Sequence, residues 1–442
     1  MDLNTRLHNV AVVGAAGKMG SGISLLLALE LAYRALEHPD QLYVLSLIDM
    51  HDAALQGLVR YIREQAVKDA ERQMNRLRAL YQDRADLVEN GEMVQEFVQE
   101  VLLRLRTGKT LALAKDAHLV FEAAFEKEEI KFAIYNELAG LCGPHTFFLT
   151  NTSSIPLHVL TEACGIQGRM IGFHFYNPPA VQKLLEVIAP EVCAPELVAL
   201  ATELAKVLGK KTVPSRDIAG FIGNGHFMRD GLHCIREVER LAPLHGYKEA
   251  VLMVERVSRD WLLRPMGMFQ LIDYVGIDVF QLILRVMNKY LQDGLHSTLV
   301  DQLLAAGVKG GQTSSGAQKD GFLKYEKGRP VAIYDPATAT YAGLDEPWAK
   351  AAGALLGEHP DPAMTWKDLQ KDPRREARLK AYFASFKERK SLGATLARAH
   401  MEASRAAAQG LVRQGVAARA EDVNAVLTLG FFHLYGPINE YL

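Results

Sequence analysis

The sequence predicts an α/β fold followed by an all-α region: a Rossmann-like, doubly wound dinucleotide-binding domain, then a helical domain with a partial internal repeat. Strand-like and helix-like segments alternate around a glycine-rich loop in the first half of the chain, and strand-like segments become rare after Pro214. At 442 residues the chain is also too long for one core. The predicted boundaries are 1–213 for the nucleotide-binding domain, with a helical insert at about 52–110, then 214–330 for a first helical domain, 331–385 for an irregular connector and 386–442 for the partial repeat.

The opening elements predict a nucleotide site. The strand-like run Val10–Val13 leads through a glycine loop into an apolar helix, and a second strand-like run ends at Asp49. Glycines let the backbone approach a pyrophosphate, and the helix start offers N–H donors to it. The Asp49 carboxylate can accept ribose hydroxyls and would repel a 2′-phosphate, which favours NAD over NADP. The predicted loop contacts are Gly14, Gly17, Lys18, Met19 and Gly20.

The glycine signal alone is weak. The spacing is GxxGxxG rather than GxGxxG, and Asp49 follows Gly20 at more than the usual distance of about 20 residues. An ordinary tight turn in an unrelated α/β protein is the alternative. The charged stretch from Arg60 to Arg78 in the predicted insert also has two interpretations, because it fits a solvated helix pair as well as a phosphate-binding face.

Two later strand-like runs end in polar residues. One ends at Glu122 and the other at Asn151, followed by Ser153. In parallel sheets the chemistry gathers beyond the carboxyl ends of the strands, so we expect Glu122 and Asn151 near the cofactor and Ser153 near the substrate. The alternative for Ser153 is a cap on the helix that begins near Pro156.

His174 and Glu186 lie on two neighbouring strand-like runs. A hairpin folded about Ala180 would place the two side chains opposite each other, so that the carboxylate fixes one imidazole nitrogen and leaves the other as a base. Taken singly, His174 fits a hydrogen-bonded core histidine and Glu186 a strand-edge charge. Asn224, near the start of a later helix, fits either a cap or an amide that orients a substrate carbonyl.

The helical region contains a predicted internal repeat. The residues Gly246, Val254 and Gly267 recur as Gly415, Val423 and Gly436, each 169 positions later. Between the copies, Gly310–Gly316 has the composition of a loop.

Five motifs together resemble the L-3-hydroxyacyl-CoA dehydrogenases in order and spacing over about residues 9–325, and the repeat resembles the second helical copy in multifunctional fatty-acid oxidation enzymes. The motifs are Asn151-Thr152-Ser153-Ser154, His174-Phe175-Tyr176-Asn177-Pro178, Leu184-Leu185-Glu186-Val187-Ile188, Asp217-Ile218-Ala219-Gly220-Phe221-Ile222-Gly223-Asn224 and Pro265-Met266-Gly267-Met268-Phe269-Gln270-Leu271-Ile272-Asp273.

The resemblance implies an NAD-dependent oxidation of 3-hydroxyacyl-CoA to 3-oxoacyl-CoA in β-oxidation. It implies a catalytic pair of His174 and Glu186, with Ser153 and Asn224 binding the substrate oxygens, Asp49 at the adenosine ribose and the charged insert near CoA. Two departures stand out: the glycine loop has one residue more than in the family, and Gly223 and Gly225 flank Asn224 where the family has an apolar residue and an arginine.

Two other functions stay open from the sequence. One is a dehydrogenase of a free hydroxy acid on the same fold, and the other is a catalytically silent protein that binds NAD or CoA. We expect either a monomer, with the internal duplicate in the partner's place, or a homodimer through the helical domains, in possible association with other β-oxidation enzymes.

The composition limits the classes of binding partner that we expect. A formal charge of −2 gives no electrostatic reason to expect nucleic acid or a membrane surface. The four cysteines are too widely spaced for a metal set and fit reduced thiols, so no metal is expected. The first residues run into a strand without a signal peptide, and no uninterrupted apolar run has membrane-spanning length, so we predict a cytoplasmic protein.

Overall fold

The computed structural model describes residues 1–313 and 316–442, so Ser314 and Ser315 of the predicted loop lie outside the described residues. The chain divides into two compact units, Met1–Asp217 (unit 1) and Ile218–Leu442 (unit 2). Each unit has a hydrophobic core of its own.

An eight-stranded sheet forms the centre of unit 1. Its inner strands are short apolar runs, as expected for strands covered on both faces. The strands are β1 (Asn9–Val13), β2 (Val44–Ile48), β3 (Leu105–Gly108), β4 (Leu119–Glu122), β5 (Phe147–Thr150), β6 (Met170–Phe175), β7 (Leu184–Ala189) and β8 (Lys211–Arg216). Their order is β3-β2-β1-β4-β5-β6-β7-β8, and neighbours are parallel except β6 and β7. The chain reverses its direction of sheet growth between β1 and β4, and ligands bind at such switch points.

Helices connect most of these strands, β6 and β7 being joined by a turn, and the predicted doubly wound class is confirmed. The first long helix follows the glycine loop and buries Ile23, Leu27 and Leu31 in the core. The helices of unit 1 are α1 (Leu3–Arg6), α2 (Lys18–Glu37), α3 (Asp52–Arg72), α4 (Met74–Leu80), α5 (Asn90–Leu103), α6 (Glu128–Leu141), α7 (Leu157–Ala163) and α8 (Pro195–Val207), with a 3₁₀ turn at Leu111–Ala114.

Unit 2 is mainly helical, with one small antiparallel sheet. Gly246 and Gly276, at φ of 98° and 112°, form the breaks between successive helices, a backbone geometry that favours glycine. The elements are α9 (Gly223–His245), α10 (Tyr247–Arg256), a π turn (Val257–Trp261), α11 (Met268–Val275), α12 (Ile277–Leu291), α13 (Thr298–Ala305), β9 (Leu323–Glu326), β10 (Arg329–Asp335), β11 (Thr340–Gly343), α14 (Pro347–Leu355), α15 (Trp366–Gln370), α16 (Arg375–Ala384), α17 (Leu392–Arg413) and α18 (Ala420–Gly430).

Two predicted boundaries and the description of one predicted segment need correction. The boundary at 213–214 falls inside β8, which stays paired with β7 up to Arg216. The predicted helical insert ends in a strand, because Leu105–Gly108 pairs with β2 as β3. The segment predicted as an irregular connector contains β10, β11 and α14–α16, so that description was wrong. Its prolines mislead because they occupy permitted positions: Pro330 lies at a register shift in β10 and Pro347 in the first turn of α14.

The predicted repeat has structural support. The helices α9 and α17 begin at Gly223 and Leu392, again 169 positions apart, and pack against each other. One contact also recurs at this offset: Glu255 Oε2 accepts from Phe269 N at 2.8 Å, and Asn424 Oδ1 accepts from Ile438 N at 3.0 Å. A duplication is the simplest cause of both correspondences, and it stays a prediction.

A buried polar cluster lies between α9 and α17 in unit 2. Arg264 Nη1 donates to Asp230 Oδ2 at 2.9 Å, and His400 Nε2 lies 3.3 Å from the same oxygen. His226 Nε2 lies 3.1 Å from the Ser404 hydroxyl. Burial is the main cause that lowers the pKa of His400 to about 4, so the imidazole is neutral at neutral pH.

One helix has the length and apolar composition of a membrane span. This is α2, and 61% of its most apolar window is buried inside the protein. The core helix of a doubly wound sheet passes the same test. Within residues 1–313 and 316–442, there is no group of three or more His, Cys, Asp or Glu side chains placed to hold a metal ion.

Candidate active site

The glycine loop connects β1 to α2 at the switch point. Gly14 has φ of 75°, and a β-carbon there would lie 2.7 Å from the Ala123 carbonyl oxygen. A β-carbon at Gly20 would collide with the Gly14 carbonyl. The loop thus closes on itself despite its extra residue, and α2 begins at Lys18, where first-turn N–H groups have no acceptor within the helix. This cradle fits the pyrophosphate of a dinucleotide.

Asp49 lies at the end of β2, beside the glycine loop. Its Oδ2 accepts from Ala16 N at 3.1 Å and its Oδ1 accepts from His51 N at 3.2 Å. The carboxylate is half-buried, so it keeps a solvent-facing side. This position fits the predicted contact with the adenosine ribose, because the ribose follows the pyrophosphate in the cofactor.

Glu122, predicted near the cofactor, has a fully buried carboxylate that protein groups occupy. Lys131 Nζ donates to its two oxygens at 2.7 and 2.8 Å, and Thr150 Oγ1 donates at 2.7 Å. Tyr135 OH and Ala124 N also donate to it. The side chain therefore braces β4, β5 and α6 behind the glycine loop, and any cofactor contact at this position would come from the backbone.

Glu126 holds the loop that contains Ser153, a role that sequence reasoning missed. Its Oε1 accepts from Thr152 Oγ1 at 2.7 Å, Ser153 N at 2.8 Å and Ser154 N at 3.0 Å. Burial would raise the pKa of Glu126, but the Lys131 ammonium and these donors lower it below the ordinary value. In the sequence Glu126 is one acid among several in a charged run, so no pattern marks it.

Asn151 and Ser153 occupy the end of β5. Asn151 Oδ1 accepts from Phe175 N at 2.8 Å, which ties this loop to the strand that bears His174. The Ser153 hydroxyl lies 3.3 Å from Glu126 Oε1. Ser153 precedes the N-cap Pro156 of α7, so the alternative role as that cap is not the one observed.

His174 and Glu186 face each other as predicted from the hairpin. They are direct partners across the antiparallel pair β6 and β7. His174 Nδ1 lies 3.3 Å from Glu186 Oε1, and the two residues are 8% and 0% exposed. Tyr176, two residues after His174 and directly after the end of β6, donates its hydroxyl to the same Oε1 at 2.6 Å.

The turn between β6 and β7 is held by a buried lysine that sequence reasoning also missed. Lys210 Nζ donates to the Pro179 carbonyl at 2.5 Å and to the Gln182 carbonyl at 2.8 Å. Burial lowers the pKa of Lys210 to about 8. On the other side, Gly22 of α2 packs so closely that a β-carbon there would lie 2.9 Å from the Pro179 ring. The hairpin is thereby fixed against the helix of the nucleotide site.

Asn224 lies in the first turn of α9, in unit 2, while the other predicted site residues lie in unit 1. Its neighbour Gly225 has a packing reason, because a β-carbon there would lie 2.9 Å from Leu411 Cδ2 of α17. The predicted substrate contact of Asn224 stays a prediction.

Family models match most of the chain. The 3-hydroxyacyl-CoA dehydrogenase NAD binding domain matches residues 9–218, and the C-terminal domain of the same family matches residues 239–325. The chain belongs to the 3-hydroxyacyl-CoA dehydrogenase family. It is therefore an NAD-dependent oxidoreductase, and the glycine loop and Asp49 described above fit that cofactor.

Individual relatives agree with this membership. The probable 3-hydroxybutyryl-CoA dehydrogenase of Bacillus subtilis (strain 168) is 27% identical over 319 residues, which is 72% of this chain and 97% of that protein. The protein of the same name from Deinococcus radiodurans is 30% identical over 244 residues, 54% of this chain and 82% of that protein.

A solved structure extends the likeness to the part of the chain that the family models do not match. The 3-hydroxybutyryl-CoA dehydrogenase of Escherichia coli K12 covers 97% of this chain and 90% of its own, with a TM-score of 0.64 and 22% identity. At that identity the comparison shows the fold alone.

Proposed function

We propose that this chain oxidises the 3-hydroxyl of a 3-hydroxyacyl-CoA with His174 as the general base and Glu186 as its positioning carboxylate. The observation that carries the proposal is the 3.3 Å approach of His174 Nδ1 to Glu186 Oε1 in a buried strand pair at the end of the sheet that bears the glycine loop. NAD, when bound, supplies the hydride acceptor.

The approach of Glu186 to Nδ1 supports a role for each nitrogen of His174. A carboxylate beside Nδ1 keeps a proton on that nitrogen, so Nε2 is left as an acceptor for the substrate hydroxyl proton. Glu186 then stabilises the imidazolium that forms. Ser153, on the loop that Glu126 and Asn151 hold, would donate to the substrate oxygen.

The proposal is tested by removing the base. His174→Ala is expected to lower kcat by about 10²–10⁴, the usual contribution of general acid–base catalysis, while NAD affinity stays within twofold. Glu186→Gln, which keeps the size and removes the charge, should lower kcat and leave NAD binding unchanged. The matched control is His145→Ala, an exposed histidine of unit 1, which should behave as wild type. Full turnover by His174→Ala would disprove the assignment.

The substrate class is tested separately. Relatives named for 3-hydroxybutyryl-CoA make the four-carbon thioester the first choice, and a panel up to sixteen carbons measures the chain-length preference. We expect CoA thioesters to be oxidised at a far higher kcat/KM than the matching free hydroxy acids. The reverse preference would favour the free-acid alternative, and NAD binding without turnover of either would favour a silent binding protein.

We further propose that the chain is a monomer, with the partial repeat in the place of a partner subunit. Support comes from the packing of α17 on α9 and from the contacts that recur 169 residues apart. Sedimentation equilibrium should give one chain of 48.9 kDa. A tight dimer would instead favour association through the helical domains. Association with other β-oxidation enzymes and a cytoplasmic location stay predictions.

A further inference from the structure

Tyr176 stands out because its hydroxyl and the predicted base His174 contact the same oxygen of Glu186. Tyr176 is the first residue after β6, two positions beyond His174, and its side chain reaches Glu186 of β7 as the His174 side chain does. Their rings are 5.0 Å apart. Both reach Glu186 Oε1, with the phenol oxygen at 2.6 Å and the imidazole Nδ1 at 3.3 Å.

The hydroxyl makes the shorter of the two contacts. Hydrogen bonds from O–H to a carboxylate are among the strong ones in proteins, with distances of about 2.5–2.7 Å. A donor at that distance draws negative charge from the carboxylate, and less charge remains to attract the imidazole. We infer that Tyr176 is a positioning residue that sets how strongly Glu186 holds the protonated His174, an inference that rests on the proposed role of this pair.

Tyr176 keeps its proton over the whole working range of pH. Burial is the main cause that raises the pKa of Tyr176 well above 10, and the Glu186 charge raises it further. The phenol is therefore a donor to the shared oxygen throughout that range. On the other edge of β7, the β8 residue that pairs with Glu186 is the uncharged Val213.

The consequence is a defined pH effect. With the hydroxyl in place, the Glu186 carboxylate stabilises the imidazolium less than it would alone. Tyr176→Phe removes only the hydroxyl, and the full charge of Glu186 then favours the imidazolium. We expect the acid limb of the kcat/KM profile, which reports the free enzyme, to move up by about one pH unit. Near the pH optimum kcat should change by less than about fivefold.

Two controls separate this role from a structural one. Tyr43→Phe removes another buried tyrosine hydroxyl of unit 1, one that donates to Asn4 and Gln41, and it should leave the profile unchanged. In a double-mutant cycle, Tyr176→Phe should have no effect on the profile when Glu186 is already Gln, because the shared carboxylate is gone.

A readout without turnover keeps the inference independent of the proposed function. Proton titration of labelled histidine by NMR, with His174→Gln for assignment, follows the imidazole directly in wild type and in Tyr176→Phe. We expect the titration midpoint of this imidazole to move up in the variant. An unchanged or lower midpoint would overturn the inference, whereas lack of 3-hydroxyacyl-CoA oxidation by wild type would overturn only the proposed function.

Discussion

Replacing Lys131 by methionine should sharply destabilise unit 1. The Lys131 and Glu122 side chains are 1% and 0% exposed, and Nζ lies 2.7 Å from the nearer carboxylate oxygen. Burial lowers the pKa of Lys131, but Glu122 and Glu126 raise it above its ordinary value, so the ammonium is charged at neutral pH. Removing one member of a buried pair leaves an uncompensated charge, which costs about 3–5 kcal/mol. Three remaining donors to Glu122 place the expected loss near the lower end, at about 3 kcal/mol.

The two units allow this loss to be measured selectively. The three tryptophans, Trp261, Trp348 and Trp366, all belong to unit 2, so their fluorescence reports the unfolding of that unit. Hydrogen exchange of the slowest amides in β4 and β5 reports the free energy of unfolding of unit 1. We expect the exchange data to show the loss of about 3 kcal/mol in the free energy of unfolding of unit 1, with the tryptophan transition of unit 2 as the internal reference.

Two variants decide whether the buried charge is the cause. Lys127→Met, at an exposed position four residues earlier, should change the free energy by less than about 0.5 kcal/mol. Combining Lys131→Met with Glu122→Gln should recover more than half of the loss, because the fully buried charge of Glu122 is then gone and the half-buried Glu126 keeps its Thr152, Ser153 and Ser154 donors. A loss below about 1 kcal/mol for the single variant, or no recovery in the double variant, would refute the reasoning.

Two further outcomes follow from the cofactor loop and from unit 2. Gly20→Ala should weaken NADH binding at least about tenfold, as measured by fluorescence titration, because the methyl group collides with Gly14, whereas Gly57→Ala, in open space on α3, should bind as wild type. Because burial lowers the pKa of His400 to about 4, the unfolded state binds more protons below pH 6.5, and this residue should remove about 2 kcal/mol of stability between pH 7 and pH 5. Burial raises the pKa of Glu255 to about 7, and this group changes the stability in the opposite direction over the same pH range. The His400 effect is therefore measured by urea unfolding, as the difference in pH dependence between wild type and His400→Gln. An equal pH dependence of the two proteins would contradict it.

The strands that are short apolar runs could be predicted from the sequence, and the other strands could not. Val10–Val13 and Phe147–Thr150 are such runs, and both are strands. By contrast, β3 is an edge strand with the sequence Leu-Arg-Thr-Gly, whose exposed Arg106 and Thr107 resemble the helical insert before it. Its pairing with β2 is a tertiary effect, and local propensity carries little information about an edge position.

The site was predictable to the extent that its members are set by strand geometry. His174 and Glu186 are equally far from Ala180, so a hairpin whose turn is centred on that residue places them opposite each other, and this is the register observed. Tyr176, two positions after His174, could have been found from the same spacing, and sequence reasoning missed it. Glu126 and Lys210 were not predictable, because each reaches a distant loop through its side chain, and no spacing in the sequence specifies the receiving carbonyls and amides.

The glycine at 225 bears on whether the chain is an active member of its family. An arginine at this position in the family and a glycine here suggest, from sequence alone, an eroded site and a silent protein. In unit 2, however, Leu411 of α17 occupies the space that a side chain at 225 would need, because a β-carbon on Gly225 would lie 2.9 Å from Leu411 Cδ2. The residue is thus small because α17, the second copy of α9 in the predicted repeat, packs there. A glycine at 225 therefore has a packing reason and is not by itself a sign of lost function, whereas Gly223 and the glycine loop still stand as the departures that motivate the silent-protein alternative.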